Sequence, residues 1–194
     1  MEDWFGFLSR RKDGPWLAHR LDADTSGCLV IALRKAALLA AQAAFAGGTA
    51  RKTYWAVVRG RPATERGTID APLIRKTSPQ GWRMQPDARG QPALTEWRLR
   101  GTTGALSWLE LHPRTGRTHQ IRVHCLTLGC PILGDPVYEG GSGPLHLLAR
   151  SIALPLDPAV LAEAPPPPHM QAALHGCGWE PARIPRSDRC NHSG

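Results

Sequence analysis

Residues 19–27 read HRLDADTSG and stand directly ahead of an apolar run, CLVIAL (28–33), which predicts a buried strand. A turn into a strand needs a glycine and one Asp, whereas this segment adds an arginine, a histidine, a second carboxylate and two hydroxyls. One interpretation is a structural turn in which Asp22 or Asp24 accepts hydrogen bonds from backbone N–H groups. The other is that one of these carboxylates carries out chemistry.

The four residues DTSG also invite comparison with the Asp-Thr/Ser-Gly loop of aspartic proteases. In that loop the glycine comes two places after the Asp, and here Ser26 occupies that place after Asp24. The pattern therefore does not favour a protease.

A second polar segment is LHPRTGRTHQIRVHCLTLGCPILGDPVY, residues 111–138, which carries three arginines, three histidines and a glutamine. Ile121 and Val123 flank Arg122, so this arginine lies within a half-apolar helix. A cation in such a helix is stable when it is buried against a carboxylate. Asp22 is the predicted partner.

Hydrophobic patterning predicts the remaining elements. In chain order these are a helix over 35–48, a strand over 51–60, a hairpin of 93–100 with 104–111, a helix within 116–129 and a strand over 145–156. Strands and hairpins with interspersed helices predict an α+β protein built on a mixed, mainly antiparallel sheet.

The composition is that of a basic globular protein. The chain has 194 residues, 42% of them hydrophobic and 21% charged, enough for one domain with a proper core. The formal net charge is +8, carried by 20 arginines and 4 lysines. Clustered cations favour a polyanionic partner, and arginine binds phosphate through two parallel hydrogen bonds.

The five cysteines are odd in number and lack close regular spacing, which predicts free thiols in a reducing compartment. No signal peptide is evident, and no apolar run reaches the length of a membrane span. These features predict a cytoplasmic protein that does not enter the membrane.

Four segments in this order closely resemble the RluA class of RNA pseudouridine synthases: HRLDADTSG, RKTYWAVVRG, the segment 111–138 and LHLLARSIAL. The resemblance runs from Leu17 to Leu156. It implies the pseudouridine-synthase fold, with flanking helices and a central catalytic cleft. It also implies a cofactor-independent isomerase that converts uridine in structured RNA (rRNA or tRNA) to pseudouridine.

The resemblance assigns the catalytic residues. The N1–C1′ bond must break, the uracil must rotate and C5 must bond to C1′, which requires a carboxylate as nucleophile or base. That carboxylate falls on Asp22, and the cation that offsets its desolvation falls on Arg122. Tyr54 falls on the family's active-site tyrosine, which can stack on the base and handle a proton.

Other residues are implied to bind substrate. Arg20 falls where the family fills the space left by an extruded base. The implied substrate-binding set is Arg20, His19, Arg117, His119 and Gln120. Asp24, with Thr25 and Ser26, is implied to hold the loop in shape.

Histidines and cysteines raise the question of a metal. His112, His119, His124 and Cys125 lack the spacing of common zinc motifs, so no metal is predicted there. The pairs His175-x-Cys177 and Cys190-x-His192 could close a zinc site, and the alternative is a disordered tail.

The predicted organisation is a catalytic domain over 1–160 and a Pro-rich, flexible tail over 161–194. Family members have several dozen residues ahead of HRLD, including a strand and a Lys-Pro-x-Gly segment, whereas 18 precede His19 here. We therefore expect a shortened N-terminus with an unpaired sheet edge and exposed apolar surface.

The competing hypothesis is a catalytically idle RNA-binding protein on the same fold. We expect a monomer that needs no protein partner. The sequence does not identify the RNA or the uridine, because this kind of recognition depends on RNA shape and flipped-out bases.

Overall fold

The computed structural model describes residues 8, 14–79 and 81–181. The helices are α1 (Lys35–Ala46), α2 (Gln120–Thr127) and α3 (Pro168–Gly176). The strands are β1 (Trp16–Leu17), β2 (Ser26–Gly27), β3 (Ile31–Ala32), β4 (Arg51–Arg59), β5 (Arg66–Asp70), β6 (Leu73–Ser78), β7 (Gly81–Pro86), β8 (Leu94–Thr102), β9 (Leu106–Pro113), β10 (Leu147–Leu154) and β11 (Val160–Glu163).

A large sheet with strand order β11-β10-β4-β9-β8-β5 forms the centre of the molecule, and all neighbours in this order are antiparallel. Strand β2 adds to β10 in the parallel direction. Strands β1 and β3 form a small antiparallel pair, and β6 and β7 form a separate hairpin. The predicted α+β class with a mixed, mainly antiparallel sheet is confirmed.

Alternation along the central strand β4 creates two cores, because successive side chains point to opposite faces of a sheet. Ala56 and Val58 pack with Ile121 and Cys125 of α2 on one face. On the other face, Val57 packs beneath α3. The sheet is therefore a middle layer, with helices on both sides.

Helix α1 packs against the end of β10. Its buried residues Ala41 and Ala44 contact Ile152 and Leu154. Small alanine side chains let the helix lie close to the strand, which brings its C-terminal end beside the start of β4. Leu39, on the outer side of α1, is 58% exposed.

The predicted strand over 28–33 is wrong for most of its length. Only Ile31–Ala32 are in a strand, β3, which pairs with β1. The backbone just before this segment pairs with β10 instead, and the Cys28 N–H donates to the carbonyl of Ala149. The segment bends because its two ends belong to different sheets.

The predicted flexible tail is also wrong for its first part. Val160–Glu163 form β11 on the edge of the main sheet, and Pro168–Gly176 form α3. Met170 and Leu174 are fully buried against the sheet, so apolar burial holds the segment after the prolines in place. Residues 182–194 lie outside the described residues.

No helix in the described part of the chain is long and apolar enough to cross a membrane.

Candidate active site

A cleft of about 470 Å³ lies against the face of β4 that carries Lys52 and Tyr54, which is called the cleft-facing side below. Its walls come from the HRLD loop, the end of α1, the start of β4 and the turn before α2. The lining includes seven of the eight residues assigned from the sequence: His19, Arg20, Asp22, Tyr54, Arg117, Gln120 and Arg122. Segments as far apart along the chain as His19 and Arg122 therefore converge on one concave site.

A tight turn holds Asp22, the predicted reacting carboxylate, in this cleft. The Thr25 N–H donates to the Asp22 carbonyl at 3.0 Å, and the Asp22 side chain is half-buried. Gly27 follows at φ 117°, packed so closely on β10 that a Cβ there would clash with the carbonyl of Ala149. The glycine is thus needed to dock the loop on the sheet.

His19 secures the beginning of the same loop. Its Nε2 accepts the Val30 N–H at 3.0 Å, and its ring lies 4.8 Å from that of Phe45. Burial lowers the pKa of His19, which favours the neutral ring that this acceptor role requires. His19 therefore lines the cleft mainly as a support for the loop.

Tyr54 projects into the cleft from the middle of the sheet. Burial, reinforced by the negative charge of Asp22, raises the pKa of Tyr54 to about 12. The hydroxyl therefore stays protonated at neutral pH. Asp22 therefore lies close enough to Tyr54 for its charge to act on the tyrosine hydroxyl.

Arg122 is paired with a different carboxylate from the predicted one. Its Nε and Nη2 donate to Oδ2 and Oδ1 of Asp135, each at 2.7 Å, and both side chains are almost fully buried. The prediction that Asp22 is the direct partner is wrong: against the lowering effect of burial, Asp135 raises the pKa of Arg122, and the negative charge of Asp22 adds to this. Asp135 belongs to the GDPVY segment, which folds back onto α2.

Asp135 is ionised despite its burial. Burial alone would raise its pKa, but the Arg122 guanidinium and the backbone N–H groups of Val137 and Tyr138 more than offset this effect. The net pKa of Asp135 is lowered. The charge of Arg122 is thereby largely balanced within the protein, and its guanidinium is fixed in one orientation.

His119 lies beside Arg122, outside the residues that line the cleft. Its Nε2 is 3.2 Å from Arg122 Nη1, and its Nδ1 is 2.9 Å from the Tyr138 hydroxyl. Since the guanidinium can only donate, Nε2 accepts and Nδ1–H donates to Tyr138. Burial and the charge of Arg122 lower the pKa of His119, in agreement with this neutral form.

The β6–β7 hairpin closes over this group of residues. The Trp82 ring stacks on His119 with centroids 5.1 Å apart, and Arg75 lies 4.6 Å from the centre of the Trp82 ring. The Met84 N–H donates to the Tyr138 hydroxyl at 3.0 Å. The sequence patterns did not identify Asp135, Tyr138 or Trp82 as part of the site.

Gln120 holds the turn at the start of α2. Its Oε1 accepts from the Thr115 hydroxyl and the Arg117 N–H, and its Nε2 donates to the Leu94 carbonyl and the Thr95 hydroxyl. All four hydrogen-bonding positions of the amide are occupied. The predicted direct role of Gln120 in substrate binding is therefore not supported, and its amide shapes the cleft wall instead.

Several cations surround the cleft. Arg20 is exposed, and Arg117 Nε donates to the Pro92 carbonyl at 3.1 Å. Lys52 lies two residues before Tyr54 on β4, and its Nζ is 3.2 Å from the Thr115 carbonyl. The sequence RKTY could have predicted that Lys52 lines the cleft, because residues i and i+2 of a strand share a face and Tyr54 was already assigned to the site.

No group of three or more potential ligands among the described residues is placed to hold a metal ion. Cys177 is buried, and its Sγ faces the Leu106 carbonyl, so it is turned away from solvent. Cys190 and His192, the other proposed pair, lie outside the described residues. The four described cysteines, Cys28, Cys125, Cys130 and Cys177, form no disulfide with one another.

Comparison with known families gives one match that covers most of the chain. Residues 7–127 match the family model described as RNA pseudouridylate synthase. Among solved structures, human RNA pseudouridylate synthase domain containing 1 aligns with a TM-score of 0.73 and 32% identity. The alignment covers 89% of this chain and 79% of that one.

Curated relatives show the same likeness. An uncharacterised RNA pseudouridine synthase of Zymomonas mobilis is 40% identical over 171 residues, which cover 84% of this chain and 76% of the relative. The ribosomal large subunit pseudouridine synthase D of Zymomonas mobilis is 39% identical over 140 residues, covering 72% of this chain and 44% of the relative. The chain spans about half the length of several such relatives.

Proposed function

The chain belongs to the RNA pseudouridine synthase family, whose members are isomerases acting on RNA, and we propose that it uses Asp22 to convert uridine in structured RNA to pseudouridine. One observation carries the proposal. Asp22, Tyr54 and Arg122, which come from three separate segments, line a single cleft large enough for a nucleoside.

The proposed reaction breaks the N1–C1′ bond and returns the same uracil through C5. Asp22 either attacks C1′ or removes a proton to start glycal formation, and both routes need it ionised. After C5 bonds to C1′, the C5 hydrogen leaves as a proton, so the reaction needs no oxidant and no second substrate. Tyr54, held protonated beside Asp22, packs on the base and can donate a hydrogen bond.

Arg122 acts in this scheme as an oriented donor. A guanidinium has five N–H groups, and Asp135 and His119 engage three of those on Arg122. The two that remain can stabilise negative charge as it develops in the cleft. Because Asp135 fixes the guanidinium, little reorganisation is needed when the substrate enters.

Arg20 is proposed to support base extrusion. Its side chain is exposed at the rim of the cleft, next to the turn that carries Asp22. A base must leave its stack before it can enter the site, and a planar guanidinium can occupy the space that it leaves.

The proposed substrate is ribosomal RNA, with transfer RNA as the alternative. Two relatives, from Zymomonas mobilis and Borreliella burgdorferi, are named ribosomal large subunit pseudouridine synthase D, which favours ribosomal RNA. We propose that the chain works in the cytoplasm, as a monomer and without an obligatory protein partner. Its net charge of +8 suits a polyanionic substrate.

The test is tritium release from RNA labelled at uridine C5. Wild-type protein should release tritium from ribosomal or transfer RNA, and Asp22→Asn should not, while still binding the RNA. Asp24→Asn is the matched control, since this exposed neighbour loses the same charge outside the cleft lining. Equal release by Asp22→Asn and wild type would remove Asp22 from the mechanism. Absence of release from both RNAs by folded wild type would favour the idle RNA-binding alternative.

A further inference from the structure

Lys52 is a cation fixed inside the cleft. It shares the cleft-facing side of β4 with Tyr54, and both residues line the cleft. The side chain is half-buried, and its Nζ donates to the Thr115 carbonyl at 3.2 Å. A central strand and a backbone acceptor thus define the position of the ammonium group.

The charge of Lys52 is not balanced by a carboxylate among the described residues, where its partner is the neutral Thr115 carbonyl. Two cations near the cleft differ in this respect, since Arg114 pairs with Glu96 and Arg122 pairs with Asp135. Burial lowers the pKa of Lys52, as expected for an ammonium that has lost part of its hydration.

A partly buried ammonium with two N–H groups that no described residue accepts is suited to an incoming anion. The uracil ring and the ribose are neutral, so the anions that an RNA substrate brings to the cleft are its phosphates. Arg20 and Arg117 line the same cleft, and Asp22 is the one carboxylate among its described lining residues, so positive charge is in excess around Lys52.

We propose that Lys52 binds a phosphate oxygen of the phosphodiester next to the uridine that enters the cleft. This inference rests on the proposed function, because it takes the ligand to be RNA. It gives Lys52 a role in placing the nucleotide, whereas Asp22 acts on the glycosidic bond. The pair Lys52–Thr115 also couples phosphate binding to the turn that precedes α2.

The experiment measures RNA binding as a function of salt in Asp22→Asn protein, which holds RNA without turnover. The probe is the ribosomal or transfer RNA used for tritium release. Three further changes are compared in this background: Lys52→Gln, Lys52→Arg and, as control, Lys35→Gln. Lys35 is exposed at the opposite end of α1 from the cleft, and its replacement removes the same charge.

Loss of one phosphate contact should reduce the slope of log K against log[salt] by about 0.7–0.9. We expect this reduction for Lys52→Gln and not for Lys52→Arg or Lys35→Gln. With Asp22 intact, Lys52→Gln should raise the RNA concentration needed for half-maximal tritium release and leave the saturated rate within about threefold of wild type.

Two results would overturn the inference. One is an unchanged slope for Lys52→Gln, and the other is a large loss of the saturated rate with unchanged binding, which would place Lys52 in the chemistry. Failure of the proposed function has a different signature, because wild-type protein would then release no tritium while the salt slopes stay measurable.

Discussion

Replacement of Asp135 by Asn tests whether the buried ion pair with Arg122 supports the active site. Asn keeps the size of the side chain, and its Oδ1 can still accept the N–H groups of Val137 and Tyr138. What it removes is the negative charge opposite a guanidinium that is 2% exposed, together with the acceptor Oδ2, because the Asn Nδ2 donates and would face the donating Nε of Arg122. The variant therefore measures the combined loss of the charge and of one hydrogen bond in the buried pair.

Breaking a buried ion pair by removing one partner costs about 3–5 kcal/mol. Arg122 keeps its contact with His119, and the Tyr138 ring lies 5.2 Å from its Cζ, so we expect the lower end of this range. For a chain of this length, about 1 kcal/mol corresponds to roughly 2–4 °C in Tm. A loss of about 3 kcal/mol therefore predicts a Tm lower by roughly 6–12 °C.

Urea unfolding and calorimetry measure this loss, and Glu96→Gln is the matched control. Glu96 receives the same two-pronged contact from Arg114, at 3.0 and 2.8 Å, but the pair is exposed and water can replace the lost partner. The control should therefore lose much less stability. The double variant Arg122→Met/Asp135→Asn should recover part of the loss, because no charge remains buried. Equal losses for Asp135→Asn and Glu96→Gln would refute the argument.

The Arg122–Asp135 pair also predicts that the free energy of unfolding depends on pH. The pKa of Asp135 is lowered in the folded protein, so its contribution to stability is complete above the unfolded value of about 3.9. That contribution is lost as the pH falls through the folded pKa. Wild type should therefore lose this part of its unfolding free energy in acid, and Asp135→Asn should lack that component of the acid transition.

Two further predictions concern the loop and the segment after the prolines. Gly27→Ala should lower both the free energy of unfolding and tritium release, because its Cβ would clash with the Ala149 carbonyl at a strained φ. The control is Gly48→Ala, which is also at positive φ but in open space and should keep its activity. A fully active Gly27→Ala protein would count against the role of Gly27 in docking the loop on the sheet. Met170→Ala should cost about 2–5 kcal/mol in urea unfolding, since Met170 is fully buried. Leu161→Ala, at a 73% exposed position, is its control, and equal effects would mean that α3 adds little to the fold.

Local sequence patterns were sufficient for much of the framework. The helix predicted over 35–48 forms over 35–46 and ends before Gly47 and Gly48, and the hairpin of β8 and β9 forms where alternation predicts it. Both depend on interactions between residues close in the chain, namely helix termination and a short turn. The motif HRLD likewise identified Asp22, which the structure places in the cleft.

Predictions were wrong where the partner of a side chain depends on the tertiary structure. A carboxylate for Arg122 could be expected from the sequence, but its identity could not, because Asp22 and Asp135 are both plausible along the chain. The resemblance placed Gln120 among the substrate-binding residues, whereas four protein groups saturate its amide. Such pairings depend on distances in space that spacing along the chain does not determine.

The sequence by itself determined the family, the position of the proposed reacting carboxylate, Asp22, and the period-2 pattern that puts Lys52 and Tyr54 on one face of a strand. These properties reside in residue type and short-range geometry. Only the tertiary structure decided that Asp135 balances Arg122, that Lys52 meets a neutral carbonyl, and that the segment after the prolines packs as α3. The reason is physical: burial and charge balance are set by which segments fold against each other, and they change the behaviour of a side chain without changing its type.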